Sequence, residues 1–266
     1  MLSTTSPPDL APRETLPTAP HHLVQEAYDE LAAVYDQSFT RPIDHAENTV
    51  AHQQLLALGL TEGRVLDLGC GTGLLIEQLG IPPDQYVGLD ISARMIARAM
   101  TKFPDHTWVC GDMAAMPVAE TDSFQHWLGG GAWNLPFNNA VSMFGSFSYV
   151  LDPVPALQKV YERLAPDGAF CFMLLSRNYA HRASHITEHH GMHVPYVGYT
   201  AAEAWALAVA AGFQHVRVWG FNAYADRLPG WLPARMVAWY LWWEQALLGW
   251  KDPDRFLFLF VYGRRG

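Results

Sequence analysis

Residues Val65–Gly73 read VLDLGCGTG, and this stretch decides the fold that the sequence predicts. An apolar run carries the acid Asp67 at its end and then breaks into glycines at alternate positions, Gly69, Gly71 and Gly73, before the helix-like LLIEQL. Glycine tolerates positive φ and has no Cβ, so such a turn lets the backbone lie directly against a ligand. A dinucleotide site needs G-x-G-x-x-G to seat a pyrophosphate, whereas here the third glycine comes one residue early. The alternative is a glycine-rich turn with a purely structural role.

Length and composition predict one large α/β domain in a reducing compartment. The chain has 266 residues, 50% of them apolar, which is enough for an ample core and argues against global disorder. A net charge of -9 offers no electrostatic footprint for nucleic acid. The three cysteines, Cys70, Cys110 and Cys171, are widely spaced and odd in number, so we expect free thiols. The N-terminus lacks the pattern of a signal peptide, and the expected location is cytoplasmic.

The chain alternates strand-like and helix-like segments, which predicts a parallel sheet covered on both faces. Residues 1–20 are expected to form a mobile tail, and residues 21–266 a single domain. Strands are predicted at 64–68, 86–90, 107–111, 140–144, 169–175, 215–219 and 256–262. Helices are predicted at 22–39, 44–58, 74–79, 93–102 and 154–164, and from a Thr200–Glu203 capping box through Ala211.

The glycine spacing and the acids after it resemble the class I S-adenosylmethionine (SAM)-dependent methyltransferases. G-x-G-x-G is similar to motif I of that family, whose ligand has no phosphate. Asp90 ends the second strand in VGLDIS, seventeen residues after Gly73, and Asp112 ends the third in WVCGDM. The resemblance implies a Rossmann-like sheet of seven mostly parallel strands with a terminal antiparallel hairpin and helices on both faces. It implies SAM as the cofactor, and we expect no metal.

The resemblance also assigns cofactor contacts. An acid such as Asp90 accepts hydrogen bonds from both ribose hydroxyls, as in Rossmann-type sites. Ile91 is expected to pack on the adenine, with Met95 one helical turn further. Asp112 would bond the adenine amino group while the backbone of Met113 reads the ring. The expected cofactor-binding set further contains Tyr28, Tyr35, Asp67, Gly69, Cys70, Gly71, Gly73, Met143 and Phe144.

Two segments resemble parts of small-molecule N- and O-methyltransferases. In NNAVSMFGSFSYVLD (138–152) the strand edge would face the methionine part of the cofactor through Met143 and Phe144, with Tyr149 pointing toward the transferred methyl. In YDELAAVYD, Tyr28 and Tyr35 are seven residues apart, hence on one face of a helix that would cover the cofactor. The alternative for all three tyrosines is a core position.

Two other segments depart from the family pattern. Glu120–Leu135 contains three consecutive glycines where the family has a short connection, and we expect a lid that is mobile without ligand, or else an irregular surface loop. Five histidines crowd into thirteen residues: His181, His185, His189, His190 and His193. They are expected to wall the acceptor pocket, with His185 or His189 as base. A zinc site and solvated surface histidines are the alternatives.

The insert 229–250 is rich in aromatic residues and predicted to be helical. Arg235 and Glu244 argue against a membrane span. We expect this helix to pack on the sheet or on a second subunit of a homodimer, and contact with a membrane surface is the alternative.

The function implied by the resemblance is methyl transfer from SAM to a nitrogen or oxygen of a small organic acceptor. A hydroxyl acceptor needs a base, for which histidine is best tuned, whereas an amine can react without one. Two alternatives remain. One is a SAM-binding enzyme that performs cyclisation or decarboxylation, and the other is a non-catalytic partner with the same fold.

Overall fold

A seven-stranded sheet organises the part of the chain that the computed structural model describes, residues 21–116, 135–177, 194 and 196–266. The strands lie in the order β3-β2-β1-β4-β5-β7-β6; β7 pairs antiparallel with β5 and β6, and the remaining pairs are parallel. The strands are β1 Val65–Leu68, β2 Tyr86–Asp90, β3 Thr107–Cys110, β4 Phe137–Ser142, β5 Leu164–Leu175, β6 Gln214–Phe221 and β7 Phe258–Arg264. This is the Rossmann-like plan that the resemblance implied, with the antiparallel pair at the end of the chain.

Helices cover the sheet, and their ends follow local capping chemistry. They are α1 His21–Leu31, α2 Tyr35–Ser38, α3 Pro42–Ala57, α4 Leu74–Leu79, α5 Ala93–Lys102, α6 Pro153–Arg163, α7 Ala201–Ala210 and α8 Ala234–Leu248. The Ser92 side chain accepts from the backbone N–H of Met95 to start α5. Thr200 and Glu203 form the predicted capping box of α7.

Two apolar clusters form the core, one on each face of the sheet. Successive residues of a strand point to opposite faces. Accordingly, Leu66 belongs to one cluster and Val65 to the other, and Phe172 and Met173 divide in the same way. Strands β1 and β2 are buried at every position because helices lie on both faces, which explains why their sequences do not alternate between apolar and polar residues; Asp67 and Asp90 are the acids within them.

The N-terminal segment corrects one prediction. The single helix expected over 22–39 is broken: residues 32–34 form turns between α1 and α2. Each half has its own anchor, because Asp29 accepts from Ser92 Oγ at 2.6 Å while Asp36 accepts from Thr72 Oγ1 at 2.5 Å. Tyr28 and Tyr35 therefore do not share one continuous helical face.

Other boundaries shift by a few residues. Strand β4 begins at Phe137 and ends at Ser142 rather than spanning 140–144, and β5 begins at Leu164 instead of Ala169. Cys70, Cys110 and Cys171 are free, as expected. Within the described ranges, no helix combines the length and apolarity needed to cross a bilayer. The predicted tail 1–20, residues 120–134 of the insert and the five histidines at 181–193 lie outside the described residues.

Candidate active site

A cavity opens at the carboxyl ends of β1, β2, β3 and β4, where parallel α/β sheets place their ligands. It holds about 1010 Å³ of space free of protein atoms, its open mouth included. The predicted residues that line it are Tyr28, Tyr35, Asp67, Gly69, Cys70, Gly71, Asp90, Ile91, Met95, Asp112, Met113, Met143, Phe144 and Tyr149. Residues from five separate segments of the chain thus meet at one edge of the sheet.

The three glycines of the turn after β1 have different tasks. A Cβ on Gly71 would meet no protein atom closer than Tyr35 Cε1 at 3.9 Å, so this backbone is open toward the cavity. A Cβ on Gly69 would lie 2.4 Å from Ser146 Cβ, so Gly69 permits close approach of the loop after β4. Gly73 does not line the cavity: its missing Cβ leaves room for Trp108 and Phe103. Gly73, which was expected to contact the cofactor, faces these two aromatic rings.

Asp90 lies at the end of β2, and its carboxylate keeps unused hydrogen-bond acceptor sites. Its Oδ2 accepts from Gly71 N and its Oδ1 from Ser92 N, both at 2.9 Å. An ionised carboxylate offers about four acceptor sites, so roughly two are left for a ligand. Burial raises the pKa of this carboxyl above its usual range, although the backbone donors of Ser92, Gly71 and Ile91 act in the opposite direction. A ligand that donates hydrogen bonds here would relieve part of that cost.

Asp67 lies beneath the cavity and is the most perturbed acid of the site. The Tyr86 hydroxyl donates to its Oδ2 at 2.7 Å. Burial, with a smaller contribution from the nearby Asp90, nevertheless raises the pKa of Asp67 to about 7. A positively charged ligand group beside Asp67 would favour the carboxylate and lower this pKa.

Helix α1 closes the cavity over β3. The His21 ring contacts the carboxylate of Asp112, whose Oδ1 accepts from Ala114 N at 2.8 Å. Val24 and Tyr28 of the same helix also line the wall. His21 and Val24 were not predicted, since the sequence pattern does not indicate which face of α1 meets the sheet edge.

Tyrosine rings form the end of the cavity near β4. The Tyr149 ring packs edge-on against Tyr28 with centroids 5.9 Å apart, and against Tyr196 at 6.1 Å. Tyr28 donates a hydrogen bond to the Tyr149 hydroxyl. Burial raises the pKa of Tyr28, Tyr35 and Tyr149, so their phenols are neutral at physiological pH. The Tyr149 hydroxyl is therefore hydrogen-bonded while the side chain lines the cavity.

His52 on α3 is a second ionisable residue that the sequence did not indicate. Its Nδ1 lies 2.5 Å from Gln78 Oε1, and its ring packs edge-on against Phe144 at 5.9 Å. Burial lowers the pKa of His52, which favours the neutral imidazole. The remaining wall residues absent from the prediction are Thr72, Leu74, Leu75, Ser146 and Val150. Each of these five lies within a few residues of a predicted position, so proximity in sequence was the usable signal.

We predict that Gly71→Ala lowers ligand affinity without a matching loss of stability. The added methyl would occupy ligand space, and overpacking of this kind costs about 1–3 kcal/mol, or roughly 10- to 100-fold in affinity. Gly80→Ala is the matched control, because Gly80 has φ +62 against +55 for Gly71 and its Cβ would meet nothing within 4 Å. Calorimetry with SAM should separate the two variants. Equal affinities would place the ligand away from this turn.

Comparison with known proteins identifies the same architecture. A family model described as a methyltransferase domain matches residues 44–228. Over 110 residues the chain is 33% identical to a demethylmenaquinone methyltransferase of Beutenbergia cavernae, covering 41% of this chain and 45% of that protein. The chain spans about half or less of the length of the curated relatives that it matches.

Solved structures share the fold across nearly the whole chain. A SAM-dependent methyltransferase from Thermotoga maritima superposes with a TM-score of 0.60 at 18% identity, covering 91% of this chain and 99% of that one. The DhpI–SAH complex gives a TM-score of 0.59 at 17% identity, covering 92% and 97%. At these identities the likeness concerns the fold.

Proposed function

The chain belongs to the family of methyltransferase domains, and from this premise we propose that it transfers a methyl group from SAM to a small organic acceptor, with an amine nitrogen favoured over oxygen. SAM is the cofactor of this family, and it supplies an electrophilic methyl group on a sulfonium. The tyrosine-lined end of the cavity is the observation that supports an amine as the acceptor. The glycine turn and the acids near it support SAM as the cofactor.

The residues of the cavity fit SAM. Gly71 presents bare backbone where a Cβ would fill ligand space, and Asp90 has free acceptor capacity for two ribose hydroxyls. Asp67 offers a buried carboxyl for a cationic group, and Asp112 lies at the end of β3 for the adenine amino group. In this assignment Ile91 and Met95 pack on the adenosine, while Met143 and Phe144 line the methionine part.

The aromatic wall supports an amine as acceptor. The faces of aromatic rings attract cations, and the attraction is strongest where water is excluded. Tyr28, Tyr35 and Tyr149 are neutral and surround the end of the cavity assigned to the methyl. N-methylation leaves a positive charge on the acceptor nitrogen, so the rings would stabilise the product cation as well as the incoming sulfonium. The chain's task is then to orient the amine and to exclude water.

His52 would serve an acceptor that must lose a proton. Its neutral imidazole lines the cavity and is held by Gln78. A base of this kind would also permit oxygen methylation. His185 and His189, the bases expected from the sequence, lie outside the described residues.

The test measures turnover with pairs of candidate acceptors. The two members of a pair share one carbon skeleton, and one bears an amine where the other bears a hydroxyl. Mass spectrometry should detect S-adenosylhomocysteine and a methylated amine, and Tyr149→Leu should lower kcat about tenfold or more, as expected for loss of a desolvated cation–π contact. Tyr224→Leu, an exposed tyrosine on another segment, is the control.

Each other outcome contradicts a stated part of the proposal. Methylation confined to the hydroxyl partner would remove the amine preference. Consumption of SAM without S-adenosylhomocysteine would indicate the non-methylating alternative, and SAM binding without turnover of any acceptor would indicate a non-catalytic partner.

A further inference from the structure

Helix α8 presents an unusual outer face. Five tryptophans on or beside it, Trp231, Trp239, Trp242, Trp243 and Trp250, have between 45% and 79% of their surface exposed. Met236, Trp239, Trp243 and Leu247 follow one another at spacings of three and four, so they form one stripe along the helix. Exposed apolar patches of this extent mark interaction sites. We call the five tryptophans, together with Met236 and Leu247, the tryptophan face.

The inner side of α8 is fully engaged, so the tryptophan face is not a surface left over from loose packing. Val237 and Leu241 are buried in the core cluster. Glu244 accepts from Ala223 N at 2.8 Å and from the Tyr240 hydroxyl at 3.0 Å. Trp250 stacks on the buried Trp219 with centroids 5.0 Å apart. The helix thus packs on the body of the protein through its inner side and leaves the outer indoles exposed.

Between Trp231 and Lys251, the exposed charged side chains are cationic. From Trp231 to Lys251 the only acidic residue is Glu244, which is turned inward and buried. Arg235 stands at the start of the helix and Lys251 just after its end, and both are exposed. The neighbouring Asp252 pairs with Arg255 at 2.5 Å, and Asp254 accepts from Ala201 N at 2.6 Å. The stripe from Met236 to Leu247 is therefore about 17 Å long, and it lies between the cations Arg235 and Lys251.

We propose that the tryptophan face docks the protein on the surface of a phospholipid bilayer, with α8 lying in the plane of the interface. Indole rings favour the boundary between lipid headgroups and acyl chains, because their apolar body enters the acyl region while the N–H stays among polar groups. The cations at both ends would meet lipid phosphates. Binding at this surface does not depend on the proposed methyl transfer.

The same charges disfavour a second copy of the chain as the occupant. A twofold interface places the same surface patch on both sides. Pairing two α8 helices would bring cations toward cations, and the face has no carboxylate to compensate them. The phosphates of a bilayer supply the missing negative charge. The protein's overall charge of -9 opposes binding to anionic lipid at long range, but salt screens it within about 10 Å.

Sedimentation with vesicles of phosphatidylcholine and phosphatidylglycerol tests the proposal. We expect the wild-type protein to sediment with the vesicles, and Trp239→Gln with Trp243→Gln to lower the partition coefficient about tenfold or more, since two large apolar side chains are lost from the contact. Trp205→Gln is the matched control, because Trp205 is 42% exposed on α7 and should not alter binding. Unchanged SAM affinity and thermal midpoint would show that the double variant is folded.

Several results would overturn the proposal. Wild-type protein that stays in the supernatant would do so, as would a double variant that binds like wild type. If light scattering found a dimer that the double variant converts to a monomer, and vesicles bound neither, then the face would be an interface between copies. None of these results bears on methyl transfer, which is measured in the absence of lipid.

Discussion

Asp90→Ala is expected to weaken SAM binding by roughly 10- to 150-fold, the largest effect of any single substitution in the cavity. Hydrogen bonds to a charged group contribute about 1.5–3 kcal/mol, and the variant leaves both ribose hydroxyls without their acceptor in a buried site. Calorimetric titration with SAM or S-adenosylhomocysteine measures the change. Unchanged affinity would refute the assignment of the ribose to this acid.

Asp90→Ala also removes the acceptor of Gly71 N and Ser92 N, so it can disturb the glycine turn. A second variant is needed to separate this effect from the loss of contacts with the ligand. Asp90→Asn keeps one carbonyl acceptor, so it should preserve more of the turn while still losing affinity. Asp84→Ala, an exposed acid before β2, is the matched control and should bind like wild type. If Asp90→Asn bound as tightly as wild type, the negative charge would have no part in holding the ribose.

Asp67→Asn is expected to stabilise the cofactor-free protein as the pH rises. The folded pKa of Asp67 is about 7, well above the usual value of 3.8, so the folded state favours the protonated carboxyl. Near pH 4, the wild-type protein and Asp67→Asn should therefore have similar free energies of unfolding. The cost of the acid grows as the pH rises above the unfolded pKa and levels off above pH 7, at up to about 4 kcal/mol. Urea unfolding of both proteins at pH 4.5, 6 and 8 measures this difference.

The same substitution is expected to weaken SAM binding and to change its pH dependence. A cationic ligand favours the carboxylate of Asp67, so binding to the wild-type protein below pH 7 releases a proton. The affinity for SAM therefore falls as the pH is lowered below 7, by up to about tenfold per pH unit. Asp67→Asn should have a lower affinity at pH 7.5 and a flatter profile between pH 5.5 and 7.5. Equal slopes for the two proteins would mean that Asp67 does not titrate when the ligand binds.

The strands and their terminal acids were predictable because both depend on local sequence. Helices α4 and α5 begin and end where their sequences predict, at Leu74–Leu79 and Ala93–Lys102. Asp67, Asp90 and Asp112 meet at one cavity because parallel strands end at a common edge. The motif does not indicate that Trp108 and Phe103 fill the space beside Gly73, because both rings come from segments that are distant in sequence.

The sheet, the glycine turn and the acids that line the cavity follow from the sequence alone, since residue order along parallel strands specifies at which strand end each group lies. Only the tertiary structure decided what covers the site and what remains exposed. The break between α1 and α2, the approach of His21 to Asp112 and the entry of His52 depend on how helices pack against distant segments. The tryptophan face has the same origin: α8 carries large apolar residues on both its inner and its outer side, and only packing determines which side is buried.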